Sequence, residues 1–408
     1  MVLKSGIASV DQAILSALNF VIAIFFIKSA SKMEYGYYSI AITISLFLVS
    51  IQNAIVNTPM TVLLIKKRED KKERYASSLF YGQFLFILPA SFIALGVVTL
   101  LGFWRLNAIQ ATIAGAFCFA AIGILFREFM RSFFFAEEAP FKVLKMDALY
   151  ASILLILITF IYMIHQIGVA IIFMLFGIIS LVVSSLFGRG RIWHYDKKCV
   201  KESYRENWEF GKWALLGVLV THMQNYSYLY LLGILVGADA VADVSAARLL
   251  LMPLLLFQVG WNKVAIPHGS KLREEGKARH FFKEQALVCI VFVLGVVGYV
   301  TCLLFFSDFL KGVLFTEKYS RSLSYIRLWG AVFALGFVMG NASSGLQVMK
   351  KFRIISIVNI PTMIVTVGCA YGLIQVYGIK GGLVALATGQ ALLAAGLWYH
   401  FTKAIFSS

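Results

Sequence analysis

Charge is what this sequence has least of. Only 14% of its 408 residues are Asp, Glu, Lys or Arg, whereas a soluble globular chain carries about 25% to wet its surface. That shortage, with 60% hydrophobic residues and a mean hydropathy of +0.83, excludes a water-soluble exterior and leaves no room for a soluble domain. Cysteine is also sparse. Cys118, Cys199, Cys289, Cys302 and Cys369 are scattered without a C-x-x-C pair, so neither a disulfide framework nor a metal site is expected. No nucleotide-binding glycine loop, zincin motif or Ser/His/Asp arrangement occurs, and no cofactor or enzymatic activity is expected. Glu137-Glu138 is the nearest approach to a carboxylate pair, and it falls in a turn. Asn225-Tyr226-Ser227 and Asn341-Ala342-Ser343 fit a glycosylation pattern but lie inside apolar stretches.

What is abundant is the long apolar run. A helix crossing about 30 Å of hydrocarbon needs roughly 20 mainly apolar residues. Twelve such stretches are found, near 7–28, 38–65, 77–103, 107–131, 143–165, 167–187, 210–236, 240–267, 284–306, 320–346, 353–376 and 380–403. Barrel strands are excluded, because they would read as short alternating segments. Lys4 precedes the first run with no small-residue cleavage site after it, so that run is expected to be a retained membrane helix.

Acidic residues number 20 against 37 basic ones, a formal charge of +17. Such an excess would fit nucleic acid, but in a membrane protein basic residues collect in cytoplasmic loops. Their distribution supports the second explanation, so no nucleic-acid partner is expected. Basic residues crowd at 66–74, at Arg127, Arg131, Lys142 and Lys145, at 189–212, at 271–283 and at Lys350, Lys351 and Arg353. The loops between are poor, holding Lys28 and Lys32, then Arg105, none around His165, none in 237–243, then Lys311, Lys318 and Arg321, and finally Lys380. The alternation predicts cytoplasmic termini. It also divides the chain into a six-helix bundle over 1–187, a basic cytoplasmic linker over 188–209 and a second six-helix bundle over 210–408.

Halves that start on the same side imply parallel repeats about an axis along the membrane normal. A weak echo at an offset of 206 pairs Asn19 with Asn225, Ser39 with Ser245, Ala41 with Ala247 and Gln52 with Gln258. Three segments carry a family likeness. Ser31-Lys32-Met33-Glu34-Tyr35-Gly36-Tyr37-Tyr38-Ser39 resembles the first-loop signature of the polysaccharide flippases, within the multidrug/oligosaccharidyl-lipid/polysaccharide exporter superfamily. Residues 237–248, Gly-Ala-Asp-Ala-Val-Ala-Asp-Val-Ser-Ala-Ala-Arg, resemble the matching element of the second half, with Ala242-Asp243-Val244 where Gly and Tyr are common. Tyr377-Gly378-Ile379-Lys380-Gly381-Gly382-Leu383-Val384-Ala385 resembles the glycine-rich opening of the last span. The resemblance implies an all-α polytopic fold, with two parallel six-helix bundles around a central cavity. It further implies alternating access in the bacterial inner membrane, moving an undecaprenyl-pyrophosphate-linked oligosaccharide to the outer leaflet for surface polysaccharide. Other polysaccharide-assembly proteins would then be partners.

Polar residues inside a membrane are costly and usually face a bundle interior. Asn19, Gln52, Asn53, His222, Asn225 and Gln258 fall near the middle of their spans. They would offer donors and acceptors to a sugar, or hydrogen bonds between helices. Arg248 and Arg327 lie deeper than a loop residue should, each about 10–12 Å inside at 1.5 Å per residue. A guanidinium there could grip a phosphate or acidic sugar, or snorkel and pair with Asp239 or Asp243. Asp11, Arg127, Glu128, Arg131 and Asp147 gather by depth at the cytoplasmic end, as a gate of ion pairs or an interfacial charge belt. His222 could also titrate. Pro59, Pro89, Pro253, Pro267 and Pro361 lie in or at the ends of spans and are expected to bend them.

Flipping of a lipid-linked oligosaccharide is therefore the leading expectation. Export of small amphipathic compounds on the same scaffold is the alternative. A glycan polymerase or ligase is disfavoured, because no expected external loop is long enough to fold by itself.

Overall fold

The structure, a computed structural model, describes residues 2–67, 69–100, 108–164, 168–189, 196–313, 315 and 317–406. Arg68, Arg105, His165 and Arg191 lie outside the described residues, as do the side chains of Lys4, Lys66 and Lys311. Among the described residues the fold is all helix, without a strand. In chain order the helices are α1 (Val2–Ser29), α2 (Lys32–Gln52), α3 (Thr58–Lys66), α4 (Glu69–Leu100), α5 (Ala108–Ala136), α6 (Pro140–Met163) and α7 (Val169–Gly188). They continue as α8 (Lys197–Leu235), α9 (Ala238–Leu249), α10 (Met252–Glu274), α11 (Ala278–Phe305), α12 (Ser307–Val313), α13 (Ile326–Val348) and α14 (Phe352–Phe406).

Within the described residues the expected spans fall on helices, while parts of those at 77–103, 107–131, 143–165 and 167–187 lie outside the described residues. Among the described residues, eight helical segments are long and apolar enough to cross a membrane, and α9 with α10, which meet at 59°, would make a ninth. The length of α14 hides two of the predicted spans. Gly378 breaks it with φ 55° and ψ −131°, a conformation that a Cβ would disfavour. The sequence places its glycine-rich opening of the last span at that break. The protein is a multi-pass membrane protein.

Local chemistry explains where helices begin and bend. The Ser31 to Glu34 segment is a capping box. The Glu34 backbone N–H donates to Ser31 Oγ at 3.2 Å, and the Ser31 N–H donates to the Glu34 carboxylate at 3.0 Å, satisfying two donors that the first turn leaves orphaned. Pro140 and Pro253 sit in the first turns of α6 and α10, where a missing N–H costs nothing. Between α2 and α3 the helix widens to a π-turn over Asn53–Asn57, and the Asn57 side-chain amide donates to Asn53 Oδ1 at 2.7 Å.

Two compact units divide the chain, Met1–Leu219 and Val220–Ser408. The basic linker and the first half of α8 therefore group with unit 1, and polar side chains show why. Lys67 pairs with Glu206 at 2.8 Å, Tyr75 donates its hydroxyl to Asn207 Oδ1 at 2.5 Å, and Ser78 bonds Ser203 at 2.6 Å. Arg74 pairs with Asp196 at the start of α8. That contact, with the N–H groups of Cys199 and Lys198, holds the Asp196 carboxyl at about 2. Within unit 1, α5 packs on α7 and α1 on α6. Within unit 2, α13 packs on α14 and α11.

Candidate functional site

Unit 2 contains a cavity of about 270 Å³ assembled from α8, α9, α10, α13 and α14. At 30 Å³ per molecule of liquid water, it has room for about nine waters. The α13 wall follows from helical periodicity. Trp329, Val332, Phe333, Gly336 and Met339 recur at three- and four-residue steps and line it as one stripe. Asn225 and Tyr226 come from α8, Gln258 from α10 and Gln390 from α14.

Arg248 enters from the last turn of α9, where the chain bends before Pro253. The C-terminal end of a helix carries a partial negative charge that favours a cation there. Its guanidinium carbon stands 5.4 Å from the Tyr226 ring centroid and 5.5 Å from that of Trp329. No carboxylate pairs with it among the described residues, and its Nε is buried without a hydrogen-bond partner. The carboxylates considered as partners lie elsewhere. Asp243 accepts from Ser322 Oγ at 2.7 Å, and Asp239 is exposed.

Two glutamines face α13 where its side chains vanish. Gln258 donates Nε2 to the Gly336 carbonyl at 3.4 Å. A Cβ on Gly340 would lie 2.3 Å from that same nitrogen, so the amide in this position uses space that Gly340 leaves open. Gln390 lies against Gly336, is 8% exposed, and has Oε1 buried without a partner.

The expected polar residues thus separate into groups. Arg248, Asn225 and Gln258 come together in the cavity. Gln52 is wholly buried in unit 1, donating to Gln83 Oε1 at 2.9 Å and to the Leu125 carbonyl at 2.8 Å. Asn53 is taken up by the π-turn, and His222 lies 2.8 Å from the Tyr230 hydroxyl. Asn19 is exposed on α1. Arg327 is also exposed. The two 3-10 turns over 317–325 delay the start of α13, so Arg327 sits in its first turn and not on the cavity wall. Sequence reasoning missed Gln390, Tyr226 and Trp329. An amide midway along the last span was the available signal for Gln390.

In unit 1, all five residues of the expected charge cluster meet. Arg131 is its hub, reaching Asp147 at 2.5 Å, Asp11 at 2.8 Å and Glu128 at 2.9 Å. Arg127 stands farther off, 3.6 Å from Glu128 and 3.8 Å from Asp147, with its guanidinium 3.7 Å above the Tyr150 ring. Asp147 is fully buried and Asp11 nearly so. These pairs tie α1, α5 and α6 together within the unit. Among the described residues, no group of His, Cys, Asp and Glu suits a metal ion.

With this geometry in place, solved structures can be compared. The lipid II flippase MurJ, in an inward closed conformation, superposes with a TM-score of 0.79 over 99% of this chain and 90% of its own, at 15% identity. An inward-facing multidrug resistance MATE family transporter of the MOP superfamily gives 0.71 over 96% and 94%, at 12% identity. The chain shares its fold with these two solved transporters. A further MOP superfamily transporter, from Pyrococcus furiosus, was described as having a binding pocket of reverse polarity that suggests a different function. It gives 0.66 over 98% and 95%, at 12% identity. In sequence, the chain is 20% identical over 230 residues to the Shigella flexneri protein named "Putative O-antigen transporter". That match covers 55% of this chain and 54% of the relative, so the aligned part is about half of each. No protein-family model matches the chain. These relatives and neighbours are transporters.

Proposed function

We propose that this chain is a secondary transporter that flips an undecaprenyl-pyrophosphate-linked oligosaccharide from the inner to the outer leaflet of a bacterial inner membrane. Alternating access would drive the exchange, the termini would be cytoplasmic, and the product would feed surface polysaccharide assembly. The observation that carries this reading is Arg248, a guanidinium with no carboxylate partner, set among the amides of Asn225, Gln258 and Gln390 in unit 2. Such a lining suits an anionic, hydroxyl-rich solute. The guanidinium supplies the charge-assisted bond, and the amides replace water at hydroxyls. The names of the Shigella relative and of the lipid II flippase point the same way.

The MATE-like fold also supports a second reading, export of small amphipathic compounds. The lining weighs against cationic ones, since it includes a cation and no carboxylate. The five-charge network acts as a clamp on α1, α5 and α6 through the transport cycle, because its pairs run within unit 1.

The test is the lipid-linked oligosaccharide pool of a deletion strain, compared with one carrying Arg248→Ala. Accumulation on the inner leaflet in both, with the variant still in the membrane, supports the reading. An unchanged pool and unchanged surface glycan in the deletion strain refute it and favour the small-molecule exporter.

A further inference from the structure

We infer that the unit 2 cavity is a subsite for one saccharide ring bearing or adjoining a single negative charge, read by Gln258 and Gln390 and balanced by Arg248. The inference rests on the proposed transport of a lipid-linked saccharide, and it names the part of that molecule which this cavity takes.

Size sets the first limit. A cavity of about 270 Å³ seats one sugar ring with its hydroxyls, and further rings of an oligosaccharide would lie outside it. Charge sets the second. One guanidinium is the only charged group in the lining, so it matches one anionic oxygen pair bidentately. A pyrophosphate brings more negative charge than this lining neutralises, and burying the remainder unpaired is costly.

The walls then choose between a ring and a bare anion. The Trp329 indole N–H is already committed, donating to the Val244 carbonyl at 2.9 Å. Its hydrogen-bonding edge is therefore occupied, and at 2% exposure Trp329 backs the wall behind Arg248, so the aromatic surface open to a ligand is that of Tyr226. The electron-rich face of an aromatic ring attracts groups of partial positive charge, and the C–H groups of a pyranose are of that kind. Phe333 also lines the cavity.

The amides supply the third argument. Gln390 Oε1 is buried and unpartnered in a side chain only 8% exposed, on the cavity wall. An acceptor left in that state is destabilising until a donor reaches it. A sugar hydroxyl both donates and accepts, whereas an apolar compound brings no donor. Gly340 leaves room for the Gln258 amide in its present position, and Gln390 lies in ordinary contact with Gly336. An alanine at Gly340 would place its Cβ 2.3 Å from Gln258 Nε2.

The experiment uses the purified full chain in lipid nanodiscs with four soluble probes: N-acetylglucosamine 1-(methyl phosphate), a phosphodiester with one charge, glucuronic acid, methyl glucoside and inorganic pyrophosphate. Competition affinities are measured, with saturation-transfer NMR reporting contact of the sugar-ring protons. At least one of the two charged sugars should bind about tenfold tighter than either methyl glucoside or pyrophosphate, roughly the value of one buried charge-assisted or neutral hydrogen bond. Which of the two prefers the site identifies the anion as a sugar carboxylate or the adjoining phosphate. Gln390→Leu should cost the charged sugar about tenfold and leave pyrophosphate unchanged. Arg248→Gln should remove the preference for charged over neutral sugar.

If Gln390→Leu fails to fold, Gln390→Glu takes its place. It should repel the anionic sugars while retaining methyl glucoside. The subsite is overturned if pyrophosphate binds as tightly as the charged sugars and Gln390 variants affect none of them, or if no saccharide gives ring contact at millimolar concentration. Either result leaves the transport reading standing, because that reading depends on the lipid-linked pool of the deletion strain.

Discussion

Replacing Arg131 with methionine should be among the most damaging single changes in unit 1. The substitution keeps most of the volume and removes one charge. That charge is shared by Asp147 at 2.5 Å, Asp11 at 2.8 Å and Glu128 at 2.9 Å. The first two are 0% and 2% exposed, so water cannot take over the lost contacts. Glu128 and Asp147 would then face Arg127 alone, at 3.6 Å and 3.8 Å, and Asp11 would lose the Arg131 contact at 2.8 Å. Removing one partner of a buried ion pair costs about 3–5 kcal/mol, mostly from stranding the other charge. At roughly 2–4 °C per kcal/mol for a unit of this size, thermal unfolding in detergent should fall by about 6–20 °C.

Arg127→Met is the control. It removes only the long pairs and the stack on Tyr150, so it should cost about 1–2 kcal/mol, the scale of one desolvated cation–π contact. Adding Asp11→Asn and Asp147→Asn to Arg131→Met should recover at least half of the loss, because the stranded charges go with it. Equal losses at the two arginines, or no recovery in the triple variant, would refute the reasoning from hub geometry.

Two further changes test local structure. Gly378→Ala puts a Cβ on a backbone at φ 55° and ψ −131°, which should cost about 1–3 kcal/mol and appear as a lower Tm with faster hydrogen exchange around 374–382. Asp196→Ala removes the Arg74 partner and the cap on Lys198 and Cys199, so exchange should rise over 197–203. The Asp196 carboxyl is lowered to about 2 by Arg74. Its contribution is therefore complete above the ordinary aspartate value of about 4 and is lost as pH falls through about 2. In Asp196→Ala, exchange over 197–203 should not change in that window.

The spans were legible because hydropathy is a property of the chain itself, and helices long enough to cross a bilayer need no tertiary information. The break at Gly378 was legible for the same reason, being local, whereas the capping box at Ser31 and Glu34 went unread in a segment noted only for its family likeness. Depth was legible too. Counting along spans of predicted direction brought Asp11, Arg127, Glu128, Arg131 and Asp147 to one level, and they meet. What depth cannot give is the direction in which a side chain points around its helix. Gln52 and Gln258 looked equivalent by depth and by the repeat, yet Gln52 bonds Gln83 while Gln258 reaches the cavity. Arg327 lies within the apolar segment Glu317–Val348 as its depth suggested, yet it is exposed and off the cavity wall. Gln390 is marked by Gly336 opposite it on another helix, a relation between distant positions that one sequence does not display.

The central claim, that a cationic cavity in unit 2 handles a lipid-linked saccharide, is tested most directly in proteoliposomes. Purified protein would be reconstituted with undecaprenyl-pyrophosphate-linked oligosaccharide placed in one leaflet. Its arrival in the other would be followed by a membrane-impermeant glycosidase. The account predicts protein-dependent transfer that Arg248→Gln slows at least tenfold while leaving folding and insertion intact. Transfer no faster than in protein-free vesicles, or undiminished in Arg248→Gln, would contradict it.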